Sequence, residues 1–305
     1  MFQKIKKSSL TIFDLLRETF GEWQKDNVSI LAASLAYYTV FSLTPILIIS
    51  IAIAGSIFGE EAARGEIMSQ FQNLVGPSGA EAIETALNNA DRPKLKNIAS
   101  LISVGLLLLG ASGVFAQLQH ALNLVWNVKA KPGQGIGQFI RKRLFSFSMV
   151  LVIGLLLLTS LVLNATLSAL SNFGSSLLPG FDFLWQIFNF VLSFVITGLL
   201  FALLYKFVPD VKIAWKDVIM GATITSLLFA IGKFVLGLYL GRGTFGSAYG
   251  AAGSLVVLLA WVYYSSQIIM FGAEFTQVYA RKFGSRILPD ENAVRKGAEE
   301  DTFSS

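Results

Sequence analysis

An all-α, polytopic membrane protein is the fold class predicted for this chain of 305 residues. Three observations predict it. Hydrophobic residues make up 54% of the chain and charged residues 14%, against roughly 25% charged in an average soluble domain. Six apolar stretches each reach the length of a spanning helix. Lysine and arginine gather in alternate connections between those stretches. A mean hydropathy of +0.63 excludes a disordered chain. It also leaves too little polar surface to cover a soluble globular enzyme.

Residues 1–27 form a cytoplasmic amphipathic N-terminal segment. Ile12, Leu15, Leu16, Phe20 and Trp23 fall on one helical face, and Asp14, Arg17, Glu18, Glu22 and Lys25 populate the other. The apolar run begins near Val28 and is far longer than a signal-peptide core. The segment reads either as an interfacial helix on the membrane surface or as a soluble helix packed on cytoplasmic loops.

The membrane domain covers 28–286. Its apolar stretches are 28–58, 98–125, 144–169, 184–206, 218–240 and 248–273. The first is about 46 Å long as a helix, longer than a bilayer core, so it must tilt or kink, and Pro45 lacks the backbone donor that the ladder needs there. With the N-terminus inside, 18 of the 24 lysines and arginines fall on the cytoplasmic side and five outside, with Lys233 within a span. That bias places both termini in the cytoplasm. The long outer loop, 59–97, reads as two short amphipathic helices meeting at Gly76–Pro77, a helix stop followed by a helix start. It is either a lid over the outer mouth or a passive cap. The polar tail, 287–305, is expected to be disordered.

Polar residues within the spans are costly and mark candidate sites. Thr223, Ser226, Ala230, Lys233, Gly237 and Gly241 recur at helical spacing on the fifth span. This stripe is either a cavity wall that meets an anionic group or a tightly packed face with a snorkelling lysine. Ser34, Tyr38 and Ser42 lead to Pro45 in the first span. They describe either a broken helix beside a substrate site or a simple kink. A polar cluster lies toward the cytoplasm: Gln119, His120 and Asn123 on the second span, and Gln267 and Glu274 on the sixth. Glu274 reads either as a proton-coupling group or as a capping, salt-bridging carboxylate at a helix end. The glycine-rich 237–254 lacks the GK[ST] ending of a phosphate loop and reads as a tight outer turn.

No cysteine is present and His120 is the single histidine. Disulfides, zinc–thiolate centres and multi-histidine metal sites are therefore excluded, and no metal or other cofactor is expected. The basic net charge of +5 belongs to the cytoplasmic loops rather than to nucleic-acid binding.

The stretches LAASLAYYTVFSLTPILIISIAIAGSIFG (31–59), YKFVPDVKIAWKDVIMGA (205–222), Lys233 followed by GLYL (to 240), and SAYGAAGSLVVLLAWVYYSSQIIMFGAEFTQ (247–277) resemble the YihY/BrkB family of bacterial inner-membrane proteins. The resemblance spans about residues 10–285. It implies six membrane helices, an inner-membrane location and a role in envelope physiology, including export of lipid-like molecules. It carries over no catalytic residues. The ribonuclease BN label attached to such proteins conflicts with the residues, because one histidine and scattered carboxylates cannot build a metal-dependent nuclease site.

The expected function is a transporter or flippase-like protein for an amphipathic or anionic solute, with the lipid bilayer as its other partner. The alternative is a non-transporting scaffold that organises envelope assembly through the outer loop or the basic loop 128–143. An enzyme is not expected, since no nucleophile–base pair is apparent. The sequence does not fix an oligomeric state.

Overall fold

The computed structural model describes residues 2–89, 98–131, 182–240, 252–284, 287–291 and 293–296. These residues form helices α1 (Phe2–Lys25), α2 (Val28–Phe58), α3 (Glu60–Asn89), α4 (Ile98–Val125), α5 (Asp182–Phe207), α6 (Trp215–Leu240) and α7 (Gly253–Phe283). Four short strands accompany them: β1 (Val128–Ala130), β2 (Val211–Lys212), β3 (Leu288–Pro289) and β4 (Ala293–Arg295). Among the described residues, four segments are long and apolar enough to cross a membrane: Val28–Ser56, Phe190–Phe207, Trp215–Leu236 and Gly253–Phe283. The second apolar stretch of the sequence forms α4. The third, 144–169, and most of the basic loop 128–143 lie outside the described residues.

Long apolar stretches form helices because a helix pairs its own backbone groups, the requirement that hydrocarbon imposes. Small residues then decide how closely the helices approach. Pro45 does not break α2, which runs through it. Its ring lies against α4, where a β-carbon on Gly110 would sit 3.1 Å from Pro45 Cγ. Ser42 Oγ donates to the Gly110 carbonyl at 2.6 Å rather than to the carbonyl that the proline frees. The kink region is thus a packing seam between α2 and α4.

A second seam joins α5, α6 and α7. The Tyr205 hydroxyl is fully buried and donates to the Ile269 carbonyl at 2.8 Å. Thr225 Oγ1 lies 2.9 Å away from it. Gly272 faces both hydroxyls, and a β-carbon there would collide with them. Gly221 faces Thr276 in the same manner.

α3 turns at Gly76, whose φ of 78° lies in the region that glycine tolerates. Its two arms bury Val75, Ile83 and Leu87 against Leu47 and Ile51 of α2 and against Leu258 and Trp261 of α7. Arg64 reaches across the hairpin to Asn88 and, at 4.0 Å, to Glu84.

The opposite, basal end of the bundle carries the strands. β1 pairs antiparallel with β4, Val128 opposite Arg295, and β2 with β3, Val211 opposite Pro289. This corrects the expectation of a wholly disordered tail. Residues 288–289 and 293–295 are paired strands, because the segments that follow α4 and α5 present backbone groups that the tail can satisfy. Val128, Val211 and Ala293 are buried there with Trp126 and Val208.

Replacing Gly272 by valine should overpack the α5–α6–α7 seam and cost about 1–3 kcal/mol. Thermal unfolding of the detergent-solubilised protein should show a clear fall in Tm. An unchanged Tm would mean that the seam is looser than described.

Candidate functional site

The site is built at the foot of α7. This helix runs ten residues beyond the end of its apolar stretch, to Phe283. Glu274 therefore lies within the helix and not at its end. The extension is stable because Phe275 and Val278 bury against Leu15 of α1. Charge then fixes the register. Arg281 donates to Glu18 at 2.6 Å and to Glu22 at 3.1 Å, and Lys282 also pairs with Glu18. Lys25 takes a second oxygen of Glu22 at 3.0 Å. Lys282 first and Arg281 after it hold the Glu18 carboxyl below the ordinary carboxylate range, with burial opposing. Lys25 and then Arg281 do the same for Glu22.

These pairs commit the nearby cations elsewhere. Glu274 is left with 0% exposure and with no hydrogen-bond donor on either carboxyl oxygen among the described residues. The carboxyl that acts on it most strongly is Asp26, in the α1–α2 turn, a part of the chain that the Trp23–Gln267 and Glu22–Arg281 contacts bring against α7 between 267 and 281; Asp26 Oδ2 is buried and likewise has no hydrogen-bond partner among the described residues. That turn is set by Asn27, whose φ of 52° is one that asparagine adopts more readily than most residues. Burial pushes the Asp26 carboxyl above its usual range, Lys25 pulls it back, and Glu22 adds to the rise. Gln277, one turn beyond Glu274, is 7% exposed and its Oε1 also lacks a donor.

The polar cluster expected from the sequence therefore separates into parts. Gln119 and Asn123 donate to Asp210 Oδ1 and Oδ2 at 3.0 and 2.9 Å, and Asn123 Oδ1 accepts from the Asp210 backbone at 2.8 Å. They anchor the α5–β2 turn to α4. Gln267 accepts from Trp23 Nε1 at 3.2 Å and donates to Tyr263 at 2.7 Å. His120 is exposed. Glu274 is the member that lies toward Asp26.

The residues expected at a substrate site are distributed as well. Thr223 is exposed, and its hydroxyl donates to the Ile219 carbonyl at 2.8 Å. Ser226 is buried and donates to the Ala222 carbonyl at 2.8 Å. Lys233 is exposed. Tyr38 is exposed, Ser42 is buried, and Pro45 packs on α4. Among the described residues no group of three or more histidine, cysteine or acidic side chains comes together to hold a metal ion.

Two residues of this end escaped sequence reasoning. Asp26 closes the N-terminal segment 1–27, and nothing in its local spacing singles it out. Asp210 follows Pro209 in the YKFVPDVK stretch, and its long-range partners leave no local periodicity.

A family model described as virulence factor BrkB matches residues 19–297. A UPF0761 membrane protein of Photobacterium profundum is 31% identical over 82% of this chain and 76% of its own length. A UPF0761 membrane protein of Psychrobacter sp. is 26% identical over 95% of this chain, and the match spans about half (52%) of that relative. A third, from Pseudoalteromonas translucida, is 28% identical over 90% of this chain and 91% of its own. No solved structure matches this chain.

Because Glu18 and Glu22 are held below their ordinary range in the folded protein, they stabilise α1 docking above the unfolded carboxylate pKa and lose that contribution as pH falls through the folded one. Trp23 fluorescence should therefore stay constant at neutral pH and change below about pH 4 as α1 loosens. Glu18→Gln should weaken docking by about 0.5–1 kcal/mol at neutral pH and flatten the acid transition. An unaltered acid transition in this variant would dissociate the latch from these carboxylates.

Proposed function

We propose, for a chain that belongs to the virulence factor BrkB family of membrane proteins, that it moves an amphipathic, anionic solute across the bacterial inner membrane in the manner of a flippase. The observation that carries this reading is the environment of Lys233. Its ammonium is exposed on α6 beside exposed Ile231, Phe234 and Val235, with exposed Leu227 and Ile219 further along the helix. A cation among lipid-facing apolar side chains suits a solute with a charged head and an apolar body. The head meets the ammonium while the tail lies along the helix. The lysine lies about 27 Å from the start of α6, toward the end remote from the strands.

The lysine and arginine bias supports an orientation with the strand-bearing end and both termini in the cytoplasm, and with six spans in all. The α3 hairpin then lies outside. Its burial of Val75, Ile83 and Leu87 on α2 and α7 supports a cap on the bundle. The reading is non-catalytic: the solute is moved and not transformed.

In proteoliposomes containing fluorescent anionic or zwitterionic lipids, the protein should expose the anionic lipid of the inner leaflet to an external quencher. Lys233→Met should slow this at least about tenfold, the equivalent of some 1.4 kcal/mol, with membrane abundance unchanged, and Lys233→Arg should retain most of it. Full activity in Lys233→Met would remove the lysine from the function.

A further inference from the structure

Glu274 presents a chemical problem that solute movement does not use. It is fully enclosed, its two oxygens meet no donor among the described residues, and the ionisable group that acts on it most strongly is another carboxyl, Asp26, whose own Oδ2 is buried without a partner. An ionised carboxylate accepts hydrogen bonds and cannot donate one. Two ionised carboxylates cannot share a contact in a dry interior, because neither supplies the hydrogen and their charges repel.

The charged groups around the pair do not relieve this. From α1 come Glu22, which repels both carboxyls, and Lys25, which attracts both but bonds Glu22. From the chain after β4, Lys296 attracts Asp26 only at a distance. On α7 itself, Arg281 and Lys282 are held by Glu18 and Glu22. α4 contributes His120, which is exposed, and the ionisable side chains of α2 are Tyr37 and Tyr38, both exposed. On α6, Asp217 lies beside Gly284, past the end of α7, and Lys233 is on an exposed face.

We propose that Glu274 and Asp26 form a proton-binding dyad at the basal end of the bundle, holding one exchangeable proton between them. The proton supplies the missing donor. One carboxyl, neutral, donates its O–H to the other, which stays ionised and faces Lys25. Gln277 offers the buried amide beside the pair, and its unpartnered Oε1 is an acceptor for a donor that rearranges with the proton. The site opens at the α1–α2 turn, since Asp26 is only partly buried and Glu22 and Lys25 border it. A proton can thus pass between bulk water and a side chain enclosed within α7, and its release would require α1 to shift. The proposal stands without the solute reading, and its readout involves no transport.

Infrared titration of the purified full-length protein in lipid nanodiscs tests it. The wild type should show a protonated-carboxyl C=O band at neutral pH that disappears at alkaline pH, shifts in deuterium oxide and is absent from Glu274→Gln. The band should be insensitive to sodium. Asp26→Asn, which removes the neighbouring charge and leaves Glu274 in place, should lower the pH at which the band is lost by about one unit or more. The dyad is overturned if wild type and Glu274→Gln have the same neutral-pH band. It is equally overturned if Asp26→Asn leaves the midpoint where it was, or if sodium removes the band at constant pH, the signature of a cation site. Should Glu274→Gln fail to fold, the Asp26→Asn midpoint alone decides the matter.

Discussion

A carboxyl side chain shut away from water and from every nearby cation is the constraint around which the basal end is arranged. Burying Glu274 without a partner would cost several kcal/mol. The chain has a lysine and an arginine two turns further along α7, yet both are drawn outward by Glu18 and Glu22. Electrostatics is thus divided between two levels. An outer layer of opposite charges clasps α1 to α7, and an inner layer holds two like groups together. The clasp is what permits the inner pair.

The same division explains the rest of this end. Asp210 gathers Gln119 and Asn123 and ties α4 to the α5–β2 turn. The two strand pairs close over Trp126 and Val208. The basal end is therefore a polar, hydrogen-bonded platform, whereas the remote end is closed by apolar packing of α3 on α2 and α7. The bundle is asymmetric in this way, with Glu274 and Asp26 toward one end and the exposed cation Lys233 toward the other. Membership in the BrkB family places both features in a membrane protein.

Much of the fold was legible because hydrocarbon imposes a simple rule: an apolar run of sufficient length becomes a helix. The boundaries 28–58 and 98–125 coincide with α2 and α4. Gly76–Pro77 marks the bend in α3 for a local reason that sequence exposes, a positive φ. The foot of α7 was not legible. Its apolar run stops near 273, and residues 274–283 read as a polar exit from the membrane. They stay helical because α1, about 250 residues earlier in the chain, covers them. For the same reason the sequence leaves Glu274 open between a proton-coupling group and a carboxylate at a helix end, and does not single out Asp26 at all. The Pro45 region is a second case. Hydroxyls before a proline leave a broken helix and a simple kink both open, whereas Ser42 is turned to Gly110, a contact that depends on α4 and leaves no trace in local spacing.

The most direct measurement of the central claim is a double-mutant cycle on denaturant unfolding of the full chain, using Asp26→Asn, Glu274→Gln and the pair together. If the two carboxyls share one proton, their contributions are joined, and the double variant should depart from the sum of the singles by about 1 kcal/mol or more. Losses that add to within about 0.5 kcal/mol would show two independent side chains and contradict the account.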